Sequence, residues 1–114
     1  MRDPRERLMD ILEAIERIER YANRGRVVFE GDELIQVWMV SHIQIIGEAC
    51  NALPPELQAH HPQVPWREII GMRHILVHHY FEVDLDIVWT TLERDLPQLK
   101  RAVEAMLAEL DAQV

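Results

Sequence analysis

A group of ionisable side chains near the middle of the sequence is the part that could do chemistry. Residues 66–84, WREIIGMRHILVHHYFEVD, contain Arg73, His78 and Tyr80. A histidine exchanges its proton near neutral pH, and an arginine holds a fixed positive charge against a phosphate. Such a pair suffices for metal-free RNA cleavage, in which the neighbouring 2′-hydroxyl attacks the phosphorus; DNA lacks that hydroxyl. From spacing alone, an arginine and a histidine near a helix end are more often structural than catalytic.

A metal site and a thiol nucleophile are both disfavoured by the sequence. His74 and His78 are four residues apart, a spacing that can clamp zinc on one helical face. However, Ile75 follows His74 where a metalloprotease helix carries its glutamate, and no third ligand is placed in the sequence. We therefore expect no metal and no cofactor, and an ordinary hydrogen bond for His74. Cys50 lies among apolar residues and is interpreted as a buried thiol.

The helix predicted for this stretch must position the ionisable groups. Its apolar residues recur at helical spacing, at Trp66, Ile69, Ile70, Leu76, Val77 and Tyr80. Arg73 falls on this apolar stripe, so it needs a partner, a cleft or another subunit, because burying an unpaired guanidinium is costly. On an ideal helix, positions 73 and 78 are about 140° apart. A loosened helix end near His78, or the second copy in a symmetric dimer, would help them converge.

Two long helices are predicted before the central one. The first runs from Pro4 to about Ala22 behind an Asp3 cap, and the second runs from an Asp32 cap to about Leu53. Two pairs of opposite charges are spaced four apart on the first helix: Glu13 with Arg17, and Glu16 with Arg20. Between the helices, residues 23–31 are predicted to form a loop that places Phe29 on the core.

The second helix is apolar on almost every side, which suggests a helix–helix dimer interface. One polar stripe interrupts it, at Ser41, Gln44, Glu48 and Asn51. Two interpretations stay open for this stripe. It either faces water, or it lines a cleft in which Glu48 pairs with Arg73.

The remaining elements complete an all-α fold. A short helix is predicted at residues 56–60. His60, at its end, and the next residue, His61, are expected to be exposed. Asp84 caps the last helix, which Pro97 should kink or split. We expect a single domain over residues 1–114, built as an antiparallel bundle of four main helices plus a short helix.

Charge and hydropathy limit the kinds of partner. The formal net charge is −8, and no segment is strongly basic, so any contact with nucleic acid must be local and use a few arginines. No stretch approaches the ~20 apolar residues of a membrane span. The charged start of the chain lacks the apolar region of a signal peptide. A cytoplasmic location is expected.

The ionisable group also resembles a known family motif. The order Arg73, four residues, His78, one residue, Tyr80 is similar to the Arg-x4-His-x-Tyr signature of HepT-type HEPN toxins. Residues 45–49 (IIGEA) with 53–54 (LP), the opening DILEAIERIERY, and VDLDIVWTTLERDLPQLK also resemble members of that family. The resemblance covers almost the whole chain.

This resemblance implies a homodimeric HEPN-like bundle that acts as a metal-independent endoribonuclease, the toxin of a type VII toxin–antitoxin pair. It implies that Arg73 positions and stabilises the phosphate and that His78 is the general acid or base. The substrate would be RNA, which is tRNA in some members. The partner would be an MntA-like minimal nucleotidyltransferase that transfers AMP to Tyr80 and so blocks RNA entry. Candidate cleft-lining residues are Gln44, Glu48, His74 and His79.

A second function stays open beside the nuclease. The bundle could be a non-catalytic module that docks a nucleotidyltransferase or binds nucleotide through its Arg-His-Tyr group. Tight complex formation without RNA cleavage would distinguish this alternative.

Overall fold

The computed structural model describes the backbone of residues 3–78 and 84–112, and the side chains of residues 3–72 and 84–112. All regular structure in these ranges is helical, which confirms the all-α fold class. The elements are α1 (Pro4–Ala22), α2 (Arg26–Gly31), α3 (Glu33–Asn51), α4 (Pro55–Ala59), α5 (Trp66–His78), α6 (Leu85–Thr90), a π turn (Thr91–Asp95) and α7 (Leu96–Ala112). Within the described ranges, no helix is long and apolar enough to cross a membrane.

Three aspartates start helices at the predicted positions. The Asp3 carboxylate accepts the backbone N–H of Arg5 at 2.8 Å, and Asp32 accepts that of Leu34 at 2.9 Å. Asp84 accepts the backbone N–H of Asp86 at 2.8 Å. Each carboxylate satisfies an N–H that has no partner within its helix, so these caps set where α1, α3 and α6 begin.

The long helices pack antiparallel, as predicted. α1 contacts α3 and α7, and α3 also contacts α5. The indole Nε1–H of Trp38 donates to the Arg17 carbonyl at 2.8 Å, which places the start of α3 beside the later half of α1. Arg5 pairs with Asp111 at 2.8 Å, so the end of α7 lies beside the start of α1. We call the end of the bundle where α1 and α5 finish and α3 begins the motif end.

The core is formed by one apolar face from each long helix. Fully buried side chains come from five helices: Leu8, Ile11 and Ile18 of α1, Met39, Ile43 and Ile46 of α3, Ile69 of α5, Val88 of α6, and Leu99 and Met106 of α7. Cys50 is also fully buried, which confirms its interpretation as a core thiol.

The loop predicted for residues 23–31 is wrong in its second half, where α2 forms. Gly25 precedes this helix with φ +92°, a left-handed conformation that glycine adopts without strain. At six residues, α2 is too short to show a helical period in the sequence. The predicted placement of Phe29 is confirmed, because its ring is buried and lies 5.3 Å from that of Trp89.

The split predicted at Pro97 is confirmed in the form of the π turn. Proline has no backbone N–H, so Pro97 cannot donate to the carbonyl of Glu93 four residues earlier. The chain widens into the π turn just before this point, between α6 and α7.

The prediction that His61 is exposed is wrong. The residue is 8 % exposed, and its Nε2 lies 3.1 Å from the Glu109 carboxylate. Glu109 lies on α7, 48 residues further along the chain, so local sequence gives no sign of this contact. His60 is exposed, as predicted.

Candidate active site

Helix α5 carries the motif. Arg73, His74 and His78 all lie on its last two turns, and the backbone stays helical through His78. Register positions 73 and 78 are therefore about 140° apart. Loosening of the helix before residue 78, which was one expected route to convergence, does not occur. His79 and Tyr80 lie outside the described residues, and so do the side chains of Arg73, His74 and His78, so the pairing of Glu48 with Arg73 stays a prediction.

The start of α5 is fixed by a buried indole. Trp66 is 9 % exposed, and its Nε1–H lies 3.0 Å from the His61 carbonyl and 3.1 Å from the Gln58 carbonyl. The donor is thus satisfied by carbonyls of α4 and of the chain that links α4 to α5. Ile69, one turn further, is 2 % exposed. These contacts set the rotation of α5 about its own axis.

The residue before Arg73 is held against the π turn. Met72 is 8 % exposed, and its sulfur lies 4.0 Å from the hydroxyl of Thr91. That hydroxyl donates to the Ile87 carbonyl at 2.9 Å. The π turn therefore contacts α5 at the residue directly before the motif, while α5 packs mainly against α3. Single π turns inside helices are frequent at functional sites.

An open groove between α1 and α3 contains two of the candidate cleft-lining residues. Gln44 and Glu48 of α3 line it together with Arg7 and Asp10 of α1, around a volume of about 440 Å³. Glu48 is exposed and Gln44 is half-buried. The polar stripe of α3 is thus open to water and also forms the wall of a groove. That this groove belongs to a catalytic cleft stays a prediction.

One carboxylate beside the π turn is electrostatically perturbed. Partial burial raises the pKa of Asp95 above its ordinary value. The neighbouring Arg94 guanidinium counteracts this rise, and the Glu68 carboxylate on the first turn of α5 adds to it. The negative charge of Asp95 is therefore disfavoured where α5 meets the π turn.

The described side chains give no sign of a metal site or a reactive thiol. Within this set, no three His, Cys, Asp or Glu side chains lie close enough to hold a metal ion together. Burial raises the pKa of the Cys50 thiol to about 12, so the sulfur is protonated at neutral pH and is a poor nucleophile.

Sequence reasoning missed an aromatic cluster between α1 and α3. The rings of Tyr21 and Trp38 meet edge to face at 5.3 Å, and the Arg24 guanidinium lies 4.9 Å from the Tyr21 centroid. From the sequence, Trp38 is only one of the many apolar residues of α3. The feature of the sequence that could have pointed to this cluster is the concentration of arginines around Tyr21, at the end of α1.

Comparison with known proteins agrees with this helical arrangement. The family model described as "Ribonuclease HepT-like" matches residues 11–106. The chain is 38 % identical over 108 residues to a probable ribonuclease HepT from Thermococcus cleftensis, a match that covers 92 % of this chain and 96 % of that protein.

A second relative is equally similar over its length. A putative RNase from Caldanaerobacter subterraneus subsp. tengcongensis is 39 % identical over 108 residues, covering 94 % of this chain and 96 % of that protein. No solved structure matches the chain. With the matched region spanning α1 to α7 and including the whole of α5, the chain belongs to the HepT-like ribonuclease family.

Proposed function

We propose that this protein is an endoribonuclease that cleaves RNA without a metal ion. The observation that carries the proposal is the position of Arg73 and His78 on α5, within the region that matches the ribonuclease family. Helix α5 is held at its start by Trp66 and in its middle by Met72. A helix anchored at these two points is suited to positioning a catalytic pair.

The chemistry assigned to the two residues is a transesterification. The 2′-hydroxyl of the substrate attacks the adjacent phosphorus, the bond from phosphorus to the 5′-oxygen breaks, and a 2′,3′-cyclic phosphate and a 5′-hydroxyl result. His78 takes the proton from the attacking hydroxyl or gives one to the leaving oxygen. Arg73 stabilises the additional negative charge on the phosphoryl oxygens. No metal is required in either step.

The proposal includes a homodimer that pairs the helices α3. Register positions 73 and 78 are about 140° apart on an unbroken helix, so a second copy is the remaining route by which a His78 could approach an Arg73. Three apolar residues on the outer face of α3 are exposed: Leu34 at 81 %, Val37 at 36 % and Ile45 at 45 %. An exposed apolar stripe on a long helix is typical of a surface that self-associates.

We further propose a cytoplasmic toxin role with a nucleotidyltransferase partner. In this scheme the protein is the toxin of a type VII pair, and an MntA-like minimal nucleotidyltransferase transfers AMP to Tyr80. Tyr80 is two residues beyond His78 in the sequence. The added phosphodiester carries negative charge and bulk, so it repels and obstructs an RNA phosphate at the same place.

The test is cleavage of defined RNA by purified variants. Arg73→Ala and His78→Ala should each lose cleavage, with a drop of about 10²–10⁴-fold for the histidine. An RNA with a single 2′-deoxy sugar at the cleavage site should stay intact, because the attacking hydroxyl is absent. The wild-type products should carry a cyclic phosphate, and an excess of EDTA should not reduce the rate.

Matched controls separate a catalytic effect from loss of charge or loss of fold. Arg67→Ala removes an exposed arginine from the first turn of α5, and His60→Ala removes an exposed histidine. Both should cleave at the wild-type rate. If Arg73→Ala and His78→Ala cleave as fast as these controls, the nuclease assignment is wrong. A protein that binds RNA or nucleotide tightly but never cleaves would support the binding-module alternative.

A further inference from the structure

An arginine-rich segment at the end of α1 stands out in this acidic protein. Residues 17–26 hold four arginines and one glutamate, although the chain as a whole has a net charge of −8. Several of these charges are neutralised by partners: Glu19 by Lys100, Arg17 by Glu13, and Arg26 by Glu30 and Asp86.

Two arginines of this segment keep their charge available. Neither Arg20 nor Arg24 belongs to an ion pair within the described part of the chain, and both side chains are exposed. The pairing of Glu16 with Arg20 expected from the sequence does not form. A cation without a carboxylate partner can bind a phosphate without first breaking an ion pair.

A fixed aromatic pair lies beside these arginines. The half-buried rings of Tyr21 and Trp38 meet at an interplanar angle of 68°, and the Arg24 guanidinium covers the Tyr21 ring at 4.9 Å. The Trp38 indole is held on its polar edge by the Arg17 carbonyl at 2.8 Å. The His42 ring lies 4.4 Å from the indole at an interplanar angle of 40°, and the His42 Nδ1–H donates to the Trp38 carbonyl at 2.7 Å.

We propose that Arg20, Tyr21, Arg24 and Trp38 form a docking platform for single-stranded RNA, separate from the catalytic pair. This inference rests on the proposed ribonuclease function. A base stacks on the Arg24 guanidinium, which the Tyr21 ring supports from the other side, and Arg20 binds the flanking phosphate. Aromatic and guanidinium planes both accept unpaired bases, and stacking does not depend on base identity. Bases inside a duplex are already stacked, so the platform takes single strands.

The position of the platform fits a strand that also reaches α5. The end of α1 and the end of α5 both lie at the motif end of the bundle, so the platform and the motif share one end of the molecule. An acidic protein cannot hold RNA through its overall charge. A local platform that binds the strand beside the cleavage site would supply this affinity.

The experiment measures RNA binding apart from cleavage. Fluorescein-labelled single-stranded RNA is titrated with the His78→Ala protein, which should not cut it, and Kd is read from fluorescence anisotropy. Adding Arg20→Gln and Arg24→Gln together should raise Kd by about fivefold or more, because two phosphate or stacking contacts are lost. The dependence of log Kd on log salt concentration should become shallower by about 0.7 for each phosphate contact removed.

The aromatic part is tested by two substitutions at one position. Tyr21→Leu removes the ring face and should raise Kd by about fivefold or more, whereas Tyr21→Phe keeps the ring and should stay within about twofold of the starting value. The matched control is Arg67→Gln, which removes an exposed arginine at the opposite end of the bundle and should leave Kd unchanged. Thermal unfolding shows whether each variant is folded. If Tyr21→Leu is not, the exposed arginine pair decides the outcome.

The outcomes distinguish this inference from the ribonuclease proposal. If the arginine pair and the Arg67→Gln control bind RNA equally well, the platform is wrong, whether or not the wild type cleaves. If RNA binds through the platform but the wild type never cleaves it, the platform stands and the nuclease proposal fails. If the protein neither binds nor cleaves single-stranded RNA, both are wrong.

Discussion

The sulfur of Met72 and the hydroxyl of Thr91 lie 4.0 Å apart, and this contact joins α5 to the π turn. Both side chains are buried, at 8 % and 5 % exposure. Because Met72 directly precedes Arg73, the π turn supports α5 one residue before the motif. The widened backbone ahead of Pro97 therefore bears on the candidate site although it lies on a different helix.

Met72→Ala should destabilise the protein by about 2–5 kcal/mol, because it leaves a cavity between α5 and the π turn. Met72→Leu keeps the volume and should cost less than about 1.5 kcal/mol. Urea unfolding followed by circular dichroism measures both. If Met72→Ala unfolds at the wild-type urea concentration, the contact does not anchor α5.

Ile45→Glu should convert the proposed dimer into a monomer. Ile45 is 45 % exposed at the C-terminal end of the apolar stripe of α3, and a charge there would be buried without a partner on association. Size-exclusion chromatography with light scattering gives the mass. Ribonuclease activity should fall together with the dimer, since the second copy is proposed to bring its His78 near Arg73.

The control for this prediction is Ile87→Glu. Ile87 lies on α6 and is 47 % exposed, so the substitution adds the same charge at an equally exposed isoleucine outside the stripe. Its mass should stay that of the wild type. A dimer that survives Ile45→Glu but is lost in Ile87→Glu would place the interface on α6 instead.

Cys50 should make the protein less stable as pH rises from about 9 to 12. Burial raises the pKa of this thiol from 9.0 to about 12 in the folded chain. The unfolded chain loses the proton first, so the stabilisation is complete below pH 9 and is lost as pH rises through the folded pKa. The limiting slope for one group is about 1.4 kcal/mol per pH unit. The stability difference between wild type and Cys50→Ala should shrink over this range, and the thiol of the folded protein should resist alkylation at pH 8.

Asp95→Asn should raise Tm at neutral pH and have less effect near pH 3. Burial raises the pKa of Asp95 in the folded protein above its unfolded value. Protonated Asp95 therefore favours the folded state at low pH, and this contribution to stability is lost as pH rises through the folded pKa. The uncharged amide avoids burying a charge in this position. Thermal unfolding at both pH values measures the difference.

Two neighbours of Asp95 provide controls of opposite sign. Glu68→Gln removes a negative charge that raises this pKa, and Arg94→Gln removes a positive charge that lowers it. The pKa of Asp95, followed by NMR titration, should therefore fall in the first variant and rise in the second. Equal shifts in both would contradict the electrostatic account.

The sequence was sufficient for the bundle because its helix signals are local. Asp3, Asp32 and Asp84 cap helices within three residues of the groups they bind, and Pro97 acts on the turn directly before it. Helix α2 was not predicted because six residues are too few to show a helical repeat of apolar residues. Burial of His61 depends on Glu109, 48 residues away, so only the tertiary structure reveals it.

The candidate site was predictable only as a set of residues on one helix. Spacing put Arg73 and His78 on α5, and the structure agrees. Their proposed approach through a second copy is not specified by any pattern within one chain. The Tyr21–Trp38 pair was missed because an aromatic residue on a helix is normally a core residue, and its exposed edge follows from how α1 and α3 pack.

Tyr80→Phe should abolish modification by the partner nucleotidyltransferase. The phenolic oxygen attacks the α-phosphorus of ATP, a phosphorus–oxygen bond to tyrosine forms, and pyrophosphate leaves; phenylalanine has no such oxygen. After incubation with the partner and ATP, intact-protein mass spectrometry should show wild type shifted by one or more AMP units and Tyr80→Phe unshifted. Tyr21→Phe is the matched control and should be modified like the wild type.

Since the modification is proposed to block RNA entry, treated wild type should stop cleaving, whereas treated Tyr80→Phe should stay active. Loss of activity in both would mean that the partner inhibits by binding and not by AMP transfer.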